Sequence, residues 1–289
     1  MLIIVGTLPD PQAPILEGPV EMGAHGLRLG GREIDPDRGT PALLGAAALA
    51  CEFLGLAAPH AFLVGDEGLG RGSRALYARL VDILPQRRCS TLVFHYLQPD
   101  VDWHNKVLFA AQAMPGAPKL IADAGFMYAA KMSGQAPAYD LFTPDAGELA
   151  FLADEDAPHP FYTRGFILHD ENKVPELAAR AYAHGNAASC LMIKGGTDHV
   201  AGPQGILGTV AEPSEEAMEA MGGTGDTLTG LVSALVESGL DIAEAALLAA
   251  RANRLAGQLT APHPGTQIRE LLPHLPRALE QALSFSESA

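Results

Sequence analysis

The chain has 289 residues, enough for one large domain with a sizeable buried core. Hydrophobic residues make up 48% and charged residues 18%, a globular balance that excludes disordered and fibrous classes. With 19 basic against 34 acidic residues, the net charge of −15 argues against a general binder of nucleic acid or anionic membranes.

The opening MLIIVGTLPDP lacks a basic flank and reads as a first strand (2–6), not a signal peptide. Segment 18–35 is rich in glycine with short alternating runs, which predicts β-hairpins projecting from the main sheet as a lid or interface extension. A helix is expected over 41–54. The apolar run around it is broken by Glu52 and Pro59, so no membrane span is expected. Further strands are expected at 60–65, 91–97, 119–124, 139–144 and 189–195, alternating with helices at 73–84, 104–114, 146–153 and 175–184. Residues 154–174 read as an irregular loop. That alternation predicts an α/β fold, a mostly parallel sheet covered by helices on both faces. No linker, charge block or repeat divides the chain, so residues 1–289 are expected to form one domain. Cys51, Cys89 and Cys190 are far apart, which fits a reducing, cytoplasmic setting rather than a disulfide framework.

Near the end lies MGGTGDTLTG (221–230), followed by apolar residues at Leu228, Leu231, Val232, Leu235 and Val236, one stripe of a helix that Gly239 ends. Glycines at a helix entrance let successive N–H groups converge, and the helix dipole adds partial positive charge, so Gly223, Thr224 and Gly225 form a candidate anion hole. Asp226 in that first turn has two readings. It is a dipole-compensating acid, or it is a base that takes a hydroxyl proton while the hole stabilises a transferring phosphoryl group.

GGTGDTLTG resembles the GxGD signature of the ribokinase superfamily, in which the Asp is the catalytic base and ATP or ADP the phosphoryl donor. TPDAGEL (143–149) is similar to the family's Asn-x-x-Glu element, and MIKGGTDHVAGPQG (192–205) to its nucleotide-lining strand and turn. RGTPALLGAAALACEFLG (38–55) and FLVGDEGLGRGSRALYARL (62–80) resemble its N-terminal helix and following βα unit. Within the superfamily, the C-terminal half looks most like NAD(P)H-hydrate dehydratases, which phosphorylate a hydrated nicotinamide hydroxyl and then eliminate phosphate. The N-terminal half looks more like sugar and nucleoside kinases. The resemblance implies Asp226 as base and Lys194, Gly195 and Asn253 as nucleotide-binding. It also implies Asp10, Gly39 and Asp123 as substrate-binding, with Mg²⁺ organised through water by Glu148 and Asp145. It implies a homodimer or homotetramer acting on a small molecule, and a non-catalytic nucleotide-binding protein is the reading from another class.

The match is not complete. Leu43 stands where many sugar kinases carry Asn, and Asp145 replaces the Asn of Asn-x-x-Glu. Gly125 replaces the second acid of a DAD motif, and Asn253 a histidine of the dehydratases. Asp10 falls one residue short of its expected spacing. Each candidate also has a plainer reading: Glu148 as an early-helix acid, Lys194 as a solvated strand end, Asn253 as a partner for local backbone. No Walker A sequence or GxSxG elbow occurs, GLGRGS (68–73) carries Ser73 where a dinucleotide turn needs glycine, and the ten histidines show no zinc spacing. Trp103 reads as a packed aromatic at a helix start.

Overall fold

Along β1 (Leu2–Leu8), Leu2 and Ile4 enter one apolar core while Ile3 and Val5 enter another. A strand's side chains alternate between faces, so a strand apolar at every position must be covered on both sides. The same alternation runs through β6 (His60–Gly65), β7 (Thr91–Phe94), β8 (Lys119–Ala122), β9 (Leu141–Phe142) and β10 (Cys190–Ile193). The computed structural model describes residues 1–23, 26–155 and 173–286. Within the loop expected over 154–174, residues 156–172 lie outside the described residues.

These strands pair in parallel in the order β6-β1-β7-β8-β9-β10. Antiparallel edges complete a nine-stranded sheet: β2 (Leu16–Pro19) on β6, and the hairpin β11 (Asp198–Gly202) and β12 (Gly205–Val210) on β10. One face is covered by α1 (Thr40–Phe53), α7 (Thr224–Glu237), α8 (Ile242–Thr260) and α10 (Leu275–Ser286). The other carries α2 (Arg71–Ile83), α3 (Val101–Gln112), α4 (Ala124–Met132), α5 (Ala146–Ala153) and α6 (Val174–Ala183). A short α9 (Ile268–Leu271) precedes α10. This is the mostly parallel α/β architecture expected from the sequence.

The differences from the sequence reading are local. The strand expected over 91–97 ends at Phe94, because Tyr96 adopts a left-handed backbone (φ 52°) and turns the chain away. The strand expected over 139–144 shrinks to two residues. Helix α4 is absent from the sequence reading, and the β11–β12 hairpin appears there only as a strand and turn. Of the segment 18–35, Gly18 and Pro19 belong to β2 of the main sheet, while β3 (Glu21–Gly23), β4 (Gly26–Leu29) and β5 (Arg32–Ile34) make a separate three-stranded antiparallel sheet. No helix among the described residues is long and apolar enough to cross a membrane.

Helices α1 and α7 touch at Gly230, where an added Cβ would fall 2.2 Å from the Leu43 carbonyl oxygen. In an open helix, Gly→Ala gains about 1 kcal/mol of propensity. Here the obstacle is backbone, so overpacking should win. Gly230→Ala is expected to lose about 1–3 kcal/mol, read as a lower urea midpoint at constant m-value. A gain in stability would show that the helices separate freely.

Candidate functional site

The carboxyl ends of the parallel strands and the N-termini of α1 and α7 converge, the place where ligands gather in such sheets. Gly223 caps α7 with φ 112°, and a Cβ there would meet Ile268 Cγ1 at 2.8 Å and the Asp37 carbonyl oxygen at 3.0 Å. Only glycine fits. The N–H of Thr227 makes the bond to the Gly223 carbonyl (2.9 Å) that opens the helix ladder. The N–H groups of Gly223, Thr224, Gly225 and Asp226 therefore come before the ladder and are donors for an anion. Gly225 also leaves room for Lys194, whose Nζ would lie 3.7 Å from a Cβ at that position.

Asp226 is nearly buried at 7% exposure. Its Oδ2 accepts the Gly39 N–H at 2.6 Å, from the left-handed N-cap of α1 (φ 67°). Its Oδ1 lies 3.1 Å from His95 Nε2. The His95 ring is fully buried, and its Nδ1 lies 3.1 Å from Thr40 Oγ1, which accepts the Thr7 N–H at 3.2 Å. Asp123, at the end of β8, accepts from Lys194 Nζ at 2.9 and 3.2 Å, from Thr229 at 2.8 Å and from the Ala124 N–H at 2.8 Å. Its Oδ2 is also 3.7 Å from His95 Nε2. Burial alone would raise the Asp123 pKa, but Lys194 and His95 outweigh it and hold the carboxyl below its ordinary value. Burial likewise opposes the charge on Lys194, yet Asp123 and Glu148 hold its pKa above the usual range.

Asp145 and Glu148 form a capping box on α5: the Glu148 N–H donates to Asp145 Oδ1 at 2.7 Å, and the Asp145 N–H to Glu148 Oε2 at 2.9 Å. Tyr128 donates to Glu148 Oε1 at 2.7 Å. Both carboxylates keep acceptor capacity for waters around a cation, Asp145 being exposed and Glu148 half-buried. No three His, Cys, Asp or Glu side chains among the described residues cluster as a direct metal set.

Asp226, Gly39, Asp123, Lys194, Glu148 and the Gly223–Gly225 turn thus share one electrostatic neighbourhood. The other candidates are engaged locally. The Asn253 amide accepts from Thr227 Oγ1 (2.7 Å) and donates to the Thr224 carbonyl (3.1 Å), so it braces the turn of α7. The Gly195 N–H donates to Asp198 (3.1 Å), while its carbonyl accepts from Arg254 (2.9 Å), which also pairs with Asp198. Asp10 pairs with Arg32 of the small sheet at 2.5 Å and accepts the Gln12 N–H at 2.9 Å.

Sequence reasoning did not single out His95, Tyr96, Thr229 or Tyr128. His95 carried a usable signal, since it directly follows the apolar run TLVF as Asp123 follows KLIA and Lys194 follows CLMI. Tyr96 is half-exposed, and the Asp226 carboxylate, then burial, push its hydroxyl pKa upward.

Fold and site together define a ribokinase-like α/β enzyme of the kind that uses ATP or ADP. The chain belongs to the NAD(P)H-hydrate dehydratase family, whose model matches residues 101–279. It is 38% identical over 242 residues to an uncharacterised protein of Methanocaldococcus jannaschii, covering 83% of this chain and 100% of that one. An ADP-dependent (S)-NAD(P)H-hydrate dehydratase of Xanthomonas campestris is 31% identical over 146 residues, covering 49% of this chain and 45% of the relative. The Bacillus subtilis ADP/ATP-dependent NAD(P)H-hydrate dehydratase, co-crystallised with ATP and Mg²⁺, superposes with a TM-score of 0.60 at 17% identity, covering 97% of this chain and 89% of that one.

Burial, then the Asp123 charge, pushes the Glu148 carboxyl up from an ordinary 4.5 to about 7. The folded protein then holds a proton that the unfolded chain has released, so this group's contribution to stability falls as pH rises from about 4.5 to about 7. Glu148→Gln cannot titrate, and it exchanges one carboxylate oxygen for an amide donor. Its urea midpoint should therefore fall less than wild type's between about pH 5 and about pH 7.5. An equal fall in both proteins would remove Glu148 as the source.

Proposed function

We propose that this protein is an ADP- or ATP-dependent dehydratase that restores NAD(P)H from its hydrated form. The observation that carries the reading is the Asp226 carboxylate, fixed at the mouth of α7 beside N–H groups suited to a phosphoryl group. In this mechanism Asp226 accepts the proton of the substrate hydroxyl as its oxygen attacks the terminal phosphorus of the nucleotide. The P–O bond to the leaving nucleotide breaks. The N–H groups of Gly223, Thr224 and Gly225 hold the charge that builds on the transferring group, and Lys194 adds a fixed cation beside Gly225. The ring C–O bond of the new ester then breaks, and loss of phosphate together with a proton from the neighbouring ring carbon restores the double bond. Glu148 and Asp145 would hold Mg²⁺ through water, supplying charge neutralisation at the nucleotide phosphates.

Lys194 and Gly195 are the proposed nucleotide side of the site, with Asn253 bracing α7 beneath it. Gly39 and Asp123 are proposed on the acceptor side, with Asp10 at its margin. The chain is proposed to act as one domain, with the small sheet at 21–34 as a lid or subunit contact, in a homodimer or homotetramer in the cytoplasm.

The reading is tested by incubating the protein with hydrated NADH and either ADP or ATP, and following the return of NADH absorbance. Asp226→Asn should lower that rate by at least about a thousandfold while keeping nucleotide-induced thermal stabilisation. Phosphorylation of a sugar or nucleoside from a panel, with no return of NADH, would instead make the protein a small-molecule kinase. Nucleotide binding without turnover of any acceptor would make it a binding protein.

A further inference from the structure

His95 is a fully buried imidazole that faces two carboxylates, Asp226 at 3.1 Å and Asp123 at 3.7 Å. Both acceptors lie on its Nε2 side, so Nε2 carries a proton. On the other side Thr40 lies 3.1 Å from Nδ1, and Tyr96 packs edge-on with ring centroids 4.4 Å apart. Placing this ring is costly. The next residue, Tyr96, holds a left-handed backbone (φ 52°), a conformation unfavourable for a non-glycine residue. Its carbonyl is fastened to the end of β1 by the Thr7 hydroxyl at 2.9 Å. The turn continues so close to α4 that a Cβ at Gly125 would lie 2.2 Å from the Leu97 carbonyl oxygen. A strained turn and an obligatory glycine, both needed to deliver one imidazole, point to a role for that imidazole.

We propose that His95 is the positioning residue for Asp226. Its Nε2–H on Oδ1 and the Gly39 N–H on Oδ2 fix the plane of the carboxylate, so the lone pairs left for a substrate hydroxyl keep one orientation. The inference rests on the reading of Asp226 as the base, and it gives the Gly125 departure from the DAD pattern a cause. The space of the second acid is taken by the turn that brings in His95.

The ring nitrogens of His95, observed by ¹⁵N NMR, test this without any substrate. In wild type the ring should be protonated on Nε2. In Asp226→Asn the Gly39 N–H keeps the amide oxygen, so the amide NH₂ turns to His95 and the Nε2–H loses its 3.1 Å acceptor, keeping only Asp123 at 3.7 Å, and the Nε2 resonance should shift. An unchanged Nε2 resonance overturns the proposal even if the protein turns over neither hydrated NADH nor a kinase panel, an outcome that would sink the dehydratase reading separately. With an active enzyme, His95→Ala should lower kcat about a hundredfold, leaving nucleotide affinity and substrate KM within about threefold. His95→Gln, which keeps an N–H donor, should recover much of that loss. Full kcat in His95→Ala, or equal losses in both variants at matched unfolding midpoints, would overturn it.

Discussion

The absent side chain of Gly230 sets the geometry from which the site follows. It lets α7 press against the Leu43 carbonyl of α1, and one turn back along each helix the same contact brings Asp226 to Gly39. Helical residues four apart share a face, so 226 with 230 and 39 with 43 are successive contacts of one crossing. The crossing brings two helix N-termini to a single carboxylate. Each terminus contributes roughly half a positive charge, worth up to ~2 kcal/mol to a partly buried anion. Two helix N-termini thus face this carboxylate, while Lys194 is bonded to Asp123.

The site is consequently a local exception to the acidic chain. Asp226, Asp123 and Glu148 gather where polyanionic phosphates would have to enter, an arrangement that would repel them without compensation. Lys194 sits between Asp123 and Gly225, and the open N–H groups of α7 add donors with no side-chain charge. The net charge of −15 therefore excludes broad anion binding without bearing on this one cradle.

The architecture was legible because its signal is local. Runs such as LIIV and TLVF are apolar at every position, and the helices between them have long alanine-rich faces. The glycine turn was legible for the same reason, since Gly223 through Asp226 are contiguous. What was hidden depends on contacts between distant residues. Asp123 and Lys194 are 71 positions apart, and His95 and Asp226 are 131 apart. Tyr96 has no residue-type signature for a left-handed backbone, so the strand it ends was read three residues too long. Helix α4 was missed because its first turn carries Gly125, a poor helix former whose reason for being there lies in the Leu97 carbonyl.

The positions that depart from the kinase and dehydratase patterns bear on whether this pocket has decayed. Residue changes that leave buried polar groups without partners cost stability. Here each departure has its own structural partner. Leu43 is buried at the α1–α7 crossing and Asp145 completes a capping box with Glu148. Gly125 makes room for the turn after β7, and Asn253 uses both ends of its amide on α7. The buried side-chain atoms lacking a hydrogen bond among the described residues are His60 Nε2, Thr91 Oγ1 and Glu237 Oε2. None belongs to the residues gathered around Asp226. The substitutions therefore form a structurally consistent set around an intact Gly-Asp turn, which supports the proposed catalytic reading over that of a decayed binding protein.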